Sequence, residues 1–287
     1  MSLMQLIIIS VIQGITEWLP ISSSGHVLLA ADYFGLEGRD ELMINAMAHL
    51  GTLFAVLAYF WRDVGRAIAG GFELLNAPFR RVRLSRDAWL AIFILASMPI
   101  GVIGALAHEL FFPTAVQDQL RSMETVALAT IIFGIALWVA DSFGRQDRTE
   151  DDMTVTHAVL IGATQAIAAL VPGTSRSGIT MTAARFLGYS RSEAARFSML
   201  IGAPLLAAGG LYAVLQLADA DPDLPGTTTL NDGLIVAGLS FVAGFASIFI
   251  LMAVIKRMSF LPFVIYRLLL GGVLLMMSPL AGTMIAG

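Results

Sequence analysis

Gln13 and Glu17 stand four residues apart in apolar sequence, a spacing that puts both on one face of a helix. A carboxylate inside a membrane-like stretch is costly and marks a functional site by default. Glu17, with Gln13, offers oxygen ligands suited to Mg²⁺ or Ca²⁺, or a place to carry a proton. It could also simply cap a neighbouring half-helix. A few residues on, Ser22, Ser23, Ser24, Gly25 and His26 open a second helix. Unpaired amides and the positive dipole end at such a start bind anions, and the hydroxyls add donors. Serines there are also ordinary N-caps. Ser23 and His26 are spaced i, i+3, within reach for the imidazole to take the hydroxyl proton. Far along the chain Arg176 lies among Thr174, Ser175 and Ser177, at another helix start. Its planar fork suits bidentate phosphate binding. In the empty state it could pair with Glu17, and a ligand phosphate could then replace the carboxylate.

The elements that must position these residues are two broken helices. QGITEWLPISSSGH (residues 13–26) and QAIAALVPGTSRSG (residues 165–178) align at an offset of 152 residues, matching Gln13 with Gln165, Ile15 with Ile167, Pro20 with Pro172 and Ser23 with Ser175. Broken backbone at membrane depth leaves polar groups unsatisfied at a cost of several kcal/mol each, so it is tolerated where it lines a protein-enclosed site. Residues 3–19 and 22–35 read as one re-entrant hairpin, and residues 155–171 and 176–188 as a second. Full spans are expected at about 43–61, 88–107, 123–141, 195–217, 232–255 and 263–285.

Composition sets the class. With 57% hydrophobic and 13% charged residues and no cysteine, and a mean hydropathy of +0.80, the chain is too apolar for a soluble globule, whose charged fraction is about 25%. Disulfides and Cys-ligated metal are excluded. The expectation is one all-α membrane domain over residues 1–287, with repeat halves at about 1–142 and 153–287. One hairpin plus three spans per half is an odd number of crossings, so the halves would be inverted. Arginines at 62, 66, 80, 81, 83 and 86 put residues 62–87 in a cytoplasmic loop by the positive-inside rule. Alternation then sends 14 of the 17 basic residues to that side, among them the stretch from Lys256 to Arg267, and leaves Arg176 as the only arginine at depth. Both termini come out on the external side. Residues 72–79 read as part of the basic loop, with an amphipathic surface segment as the other reading. Gly101, Gly104, Ala105, Gly271 and Gly272 permit close helix packing, within the chain or in a homodimer. The absence of a Gly-rich phosphate loop argues against nucleotide hydrolysis, and no nucleic-acid partner is expected.

At its two signature stretches the sequence closely resembles the undecaprenyl-pyrophosphate phosphatases, also called bacitracin-resistance proteins. The family's (E/Q)xxxE pattern is matched by Gln13 to Glu17, its LP(V/I)SS(T/S)GH by LPISSSGH, and its second signature by PGTSRSG at 172–178. LGTLFAVLAYFWR, residues 50–62, is similar to the family's third helix. The first position of the paired motif is Gln13 here, not glutamate, so this motif supplies one carboxylate and an account that needs two there does not carry over.

The resemblance implies an enzyme of the bacterial cytoplasmic membrane that removes the terminal phosphate of undecaprenyl pyrophosphate on the outer side. It would regenerate the carrier for cell-wall synthesis, assisted by a divalent cation. Carried over by position, Glu17, Ser23, His26, Ser175 and Arg176 are functional, with Gln13 and Thr180 secondary. Arg176 and the helix amides would stabilise phosphoryl charge. Ser23 is the favoured nucleophile with His26 as its base; attack by His26, or by water that Glu17 activates, is the alternative. A lipid-phosphate transporter or flippase of the same architecture, or a non-enzymatic lipid binder, is the competing class.

Overall fold

The computed structural model describes residues 2–34, 38–80, 83–219 and 229–278. Apart from a 3₁₀ turn at Glu150–Asp152 and an isolated bridge between Arg148 and Tyr189, the elements among the described residues are α-helices. They run α1 (Leu3–Trp18), α2 (Ser23–Phe34), α3 (Gly38–Tyr59), α4 (Trp61–Arg80), α5 (Arg86–Phe111), α6 (Thr114–Leu120), α7 (Met123–Phe143), α8 (Val155–Leu170), α9 (Arg176–Phe186), α10 (Arg191–Asp219), α11 (Leu230–Val254) and α12 (Leu261–Met277). Hydroxyl caps start several of them. Ser85 accepts from the Ala88 amide at 3.1 Å, Ser122 from Thr125 at 3.3 Å, and Thr154 from His157 at 3.1 Å. Each satisfies one of the amides a helix start leaves open.

By length and composition, α5, α7, α10 and α11 contain segments able to cross a membrane. A fifth candidate is the bent pair Met43–Tyr59 and Trp61–Asn76, which turns through 87°. α12 is apolar over 17 residues. The sixth expected span runs on to residue 285, and residues 279–287 lie outside the described ones, as do residues 220–228 of the acidic loop.

The expected basic loop over residues 62–87 is corrected by α4, a 20-residue helix. Trp61, Ile68, Phe72 and Leu75 fall seven, four and three apart and form one exposed apolar stripe. The arginines between its members mask that periodicity in the sequence. On the other side Gly70 approaches the Asp87 carbonyl so closely that no side chain fits.

α1 and α2 contact each other across a break, as do α8 and α9, and each pair leans on the other half of the chain. α1 packs along α11, and α8 packs along α5. Small residues allow both crossings. A Cβ on Gly14 would meet Ala243 Cβ at 2.6 Å and the Ser240 carbonyl at 2.8 Å, and one on Gly162 would strike the Ser97 backbone. Gly101 and Gly104 face Gln165 and Ala166, and Gly271 faces Ile131, so these glycines serve packing within the chain; Gly272 faces open space. The main core gathers around Trp18, Leu137, Met181, Met199 and Ile248. Trp18 Nε1 donates to the Thr52 carbonyl at 3.0 Å, which fixes the end of α1 against α3.

Candidate active site

Each hairpin breaks between its two helices, at residues 19–22 and 171–175. Ser22 (φ 74°) and Ser175 (φ 67°) take the left-handed conformation that side chains other than glycine rarely adopt. Such residues cost about 1–3 kcal/mol and persist where their surroundings fix them. The fixing groups come from the opposite hairpin. Gly173 N donates to Ser24 Oγ at 2.9 Å, and Ser177 Oγ donates to the Leu19 carbonyl at 3.0 Å.

Beneath the junction lies Arg267, fully buried on α12. Its guanidinium donates to the carbonyls of Thr130 at 2.9 Å, Pro20 at 3.4 Å, Gly173 at 3.1 Å and Thr174 at 3.0 Å. Broken helices leave carbonyls without intrahelical partners, and a buried guanidinium is the natural donor for them. This corrects the reading of Arg176 as the only arginine at depth, and of Arg267 as part of a basic-side stretch. Arg185 is buried as well, held by Asp141 Oδ1 at 3.0 Å.

Above the junction the ion pair forms. Arg176 Nη2 meets Glu17 Oε1 at 3.1 Å, and Gln13 Nε2 donates to Glu17 Oε2 at 3.0 Å. The guanidinium also lies over the Trp18 ring, 4.8 Å from its centroid. Its Nη1 is buried without a partner and sits against the bare Cα of Gly202. Ser23 stands at the same cavity wall as this carboxylate.

These groups line a cavity of about 510 Å³. Of the residues singled out in the sequence, Glu17, Ser23, Ser24, Ser175 and Arg176 border it, together with Pro172 and Gly173. Gln13 stands behind Glu17. The others support the tips from outside the cavity. Ser22, Thr174 and Ser177 are buried; Gly25 faces Leu270 and Leu274; Thr180 hydrogen-bonds Ser198 Oγ at 2.5 Å. His26 turns away as well. Its Nδ1 faces the Ser22 carbonyl at 2.8 Å, its Nε2 the Tyr266 hydroxyl at 2.5 Å, and the two rings stack. Both ring nitrogens are engaged, so the expected Ser23–His26 proton pair is not formed in this arrangement.

Asn45, His49 and Gln165 also border the cavity, and sequence reasoning does not single them out. Gln165 carries a signal, as the repeat partner of Gln13; its Oε1 is buried without a partner. His49 carries a weaker one, a lone imidazole in an apolar run.

At the arginine-rich face, ion pairs tie the elements together. Arg66 meets Asp63 at 3.3 Å, Asp87 at 2.8 Å and Glu150 at 2.7 Å. Arg196 meets Asp63 at 2.5 Å and Glu150 at 2.7 Å. Burial pushes the Glu150 carboxyl up, but Arg66 and Arg196 together hold it below the ordinary carboxylate range.

An apolar, all-helical protein with several helices able to cross a membrane is a multi-pass membrane protein, and its two helix breaks bring together a carboxylate, a guanidinium and hydroxyl-bearing helix starts. The chain matches the family described as bacitracin resistance protein BacA over residues 6–273, and it belongs to that family. It is 58% identical over 285 residues to a protein named undecaprenyl-diphosphatase from Hyphomonas neptunium, covering 99% of this chain and 100% of the relative. Similar proteins of the same name come from Maricaulis maris, 47% identical with 96% and 98% of the two chains covered, and from Jannaschia sp., 42% identical with 97% and 99% covered.

Proposed function

We propose that this protein hydrolyses undecaprenyl pyrophosphate to the monophosphate and phosphate, recycling the lipid carrier of cell-wall synthesis. The observation that carries the reading is the Glu17–Arg176 pair in a cavity bordered by Ser23. An incoming diphosphate takes over the guanidinium, whose Nη1 has no other partner, and Arg176 with the amides of the α2 and α9 starts stabilises the phosphoryl oxygens. Ser23 is the nucleophile. The competing transporter reading has no use for a cavity-facing hydroxyl beside a carboxylate.

Among the described residues Glu17 is the one carboxylate at the cavity, and they hold no group of three or more His, Cys, Asp or Glu that would make a resident metal centre. That donor set fits Mg²⁺ or Ca²⁺ arriving with the substrate, because such ions are commonly held by one or two carboxylates plus substrate phosphates. Glu17, with Gln13, would hold the cation, which would neutralise charge on the diphosphate. Ser24 and Ser175 add hydroxyl donors at the same wall.

The exchanged packing of α1 on α11 and α8 on α5 supports an inverted repeat of hairpin plus three spans. The arginine-rich face lies in the cytoplasm by the positive-inside rule. Both termini and the mouth of the cavity are then external, in the cytoplasmic membrane of a bacterium.

The test is phosphate release from a prenyl pyrophosphate by purified protein in detergent, with and without chelator. The parent releases phosphate and chelator suppresses it. Ser23→Ala binds the lipid without turning it over, and Arg176→Ala loses both. A parent that binds the lipid but releases no phosphate would rule out the phosphatase.

A further inference from the structure

The cavity holds a nucleophile without an obvious proton acceptor. Glu17 has Oε1 on Arg176 and Oε2 on Gln13, and once a diphosphate takes the guanidinium Glu17 is the carboxylate that would hold the cation, so in neither arrangement is it a free base. His26 faces Tyr266 instead of the cavity. Of the chain's four histidines, His157 is engaged by Tyr189 at 2.7 Å and Arg148 at 3.3 Å, and His108 packs on Phe112 at the end of α5. His49 alone borders the cavity that holds Glu17, Ser23 and Arg176.

The geometry points to His49 as the proton acceptor of the reaction, an inference that rests on the phosphatase reading. Its Nδ1 lies 2.7 Å from the Asn45 carbonyl. A carbonyl only accepts, so in the neutral ring Nδ1 carries the proton and Nε2 keeps its lone pair. Nε2 has no hydrogen-bond partner among the described residues and is not among the buried, unsatisfied atoms. The ring is thus held in one tautomer with its basic nitrogen free, on a helix that Trp18 ties to the end of α1. His49, Glu17 and Ser23 border the same cavity.

In the first step Ser23 Oγ bonds to the terminal phosphorus and passes its proton to His49 Nε2, while the bond from that phosphorus to the bridging oxygen breaks and the prenyl monophosphate leaves. Water then attacks the phosphoserine and gives its proton to the same nitrogen, and as the bond from phosphorus to Oγ breaks the imidazolium passes that proton to Ser23 Oγ, which releases phosphate and restores the serine and the neutral ring. Between the two steps the imidazolium gives its first proton to the departing prenyl monophosphate or to solvent. Gln13, which cannot titrate, stands in the first position of the paired motif, so His49 supplies the second proton-active group of this cavity.

The experiment compares His49→Ala and His49→Gln with the parent, in detergent, on a prenyl pyrophosphate, with lipid binding measured alongside. Both variants bind the lipid, keep KM within a few-fold and lose about 10²–10⁴-fold in kcat, the range for a general base. Added imidazole restores part of the rate of His49→Ala, an effect that a purely structural role would not produce. Either variant turning over within threefold of the parent overturns the assignment. So does a loss that follows lost lipid binding in both variants, or one that imidazole leaves untouched. A parent that releases no phosphate is a different result, and it withdraws the phosphatase reading along with this one.

Discussion

At the scale of single residues, the site depends on where one guanidinium rests. Arg176 is braced by the Trp18 ring on one side and by the absence of a side chain at Gly202 on the other. Gly202→Ala puts a Cβ into the space of Nη1. Because the side chain is flexible it moves aside at small cost in stability, but it leaves the position in which we propose that it binds phosphate. Displacements of about 1 Å can cost 10²-fold in rate, so phosphate release should fall about 10- to 100-fold while the thermal midpoint changes little. Glu17, Ser23 and Arg176 are legible in the sequence, because polar and ionisable groups are costly in apolar runs and stand out against them. The partner of His26 is not. Whether an imidazole faces the cavity or Tyr266 depends on the rotation of α2 against α12, and spacing within α2 carries no record of α12.

At the scale of elements, the two hairpins stand because their open carbonyls are answered. Arg267→Leu strips donors from the Pro20, Gly173, Thr174 and Thr130 carbonyls at once. Each unsatisfied buried acceptor costs about 1–3 kcal/mol, so the variant should unfold well below the parent temperature in a detergent melt, with Arg267→Lys recovering only part. The breaks themselves are readable from Pro20 and Pro172 and the hydroxyl clusters that follow them. Arg267 is not, because an arginine ten residues beyond Arg257 reads as the far end of a basic loop. α4 is obscured for a related reason. Arg62, Asp63, Arg66, Glu73 and Arg80 interrupt its apolar sequence, whereas its apolar stripe becomes visible only on a helix axis.

At the scale of the whole molecule, the arginine-rich face is closed by acids that neutralise its bases. Glu150 is held below its ordinary value, near 4.3 for an unperturbed glutamate, by Arg66 and Arg196. A depressed carboxyl contributes stability that is present above the unfolded value and is lost as pH falls through the folded one. The melting midpoint should therefore be level near neutral pH and decline below about pH 4.3, and Glu150→Gln should lower it at neutral pH and flatten the decline. The helical class, the paired hairpins and the arginine-rich face all follow from hydropathy and charge. The exchange of partners between halves does not, since small residues such as Gly14 and Gly162 show that something packs closely without saying what.

The ion pair at the centre of the cavity joins residues 159 positions apart in the chain. At about 5–20 residues per second of synthesis, roughly 8–30 s pass between the making of Glu17 and the making of Arg176. For that interval the first hairpin has neither its guanidinium nor the backbone latch at Gly173. Its resting place in the bilayer is therefore decided late, when the second hairpin arrives, and the ribosome delivers the acid of this site long before the base that allows it to be buried.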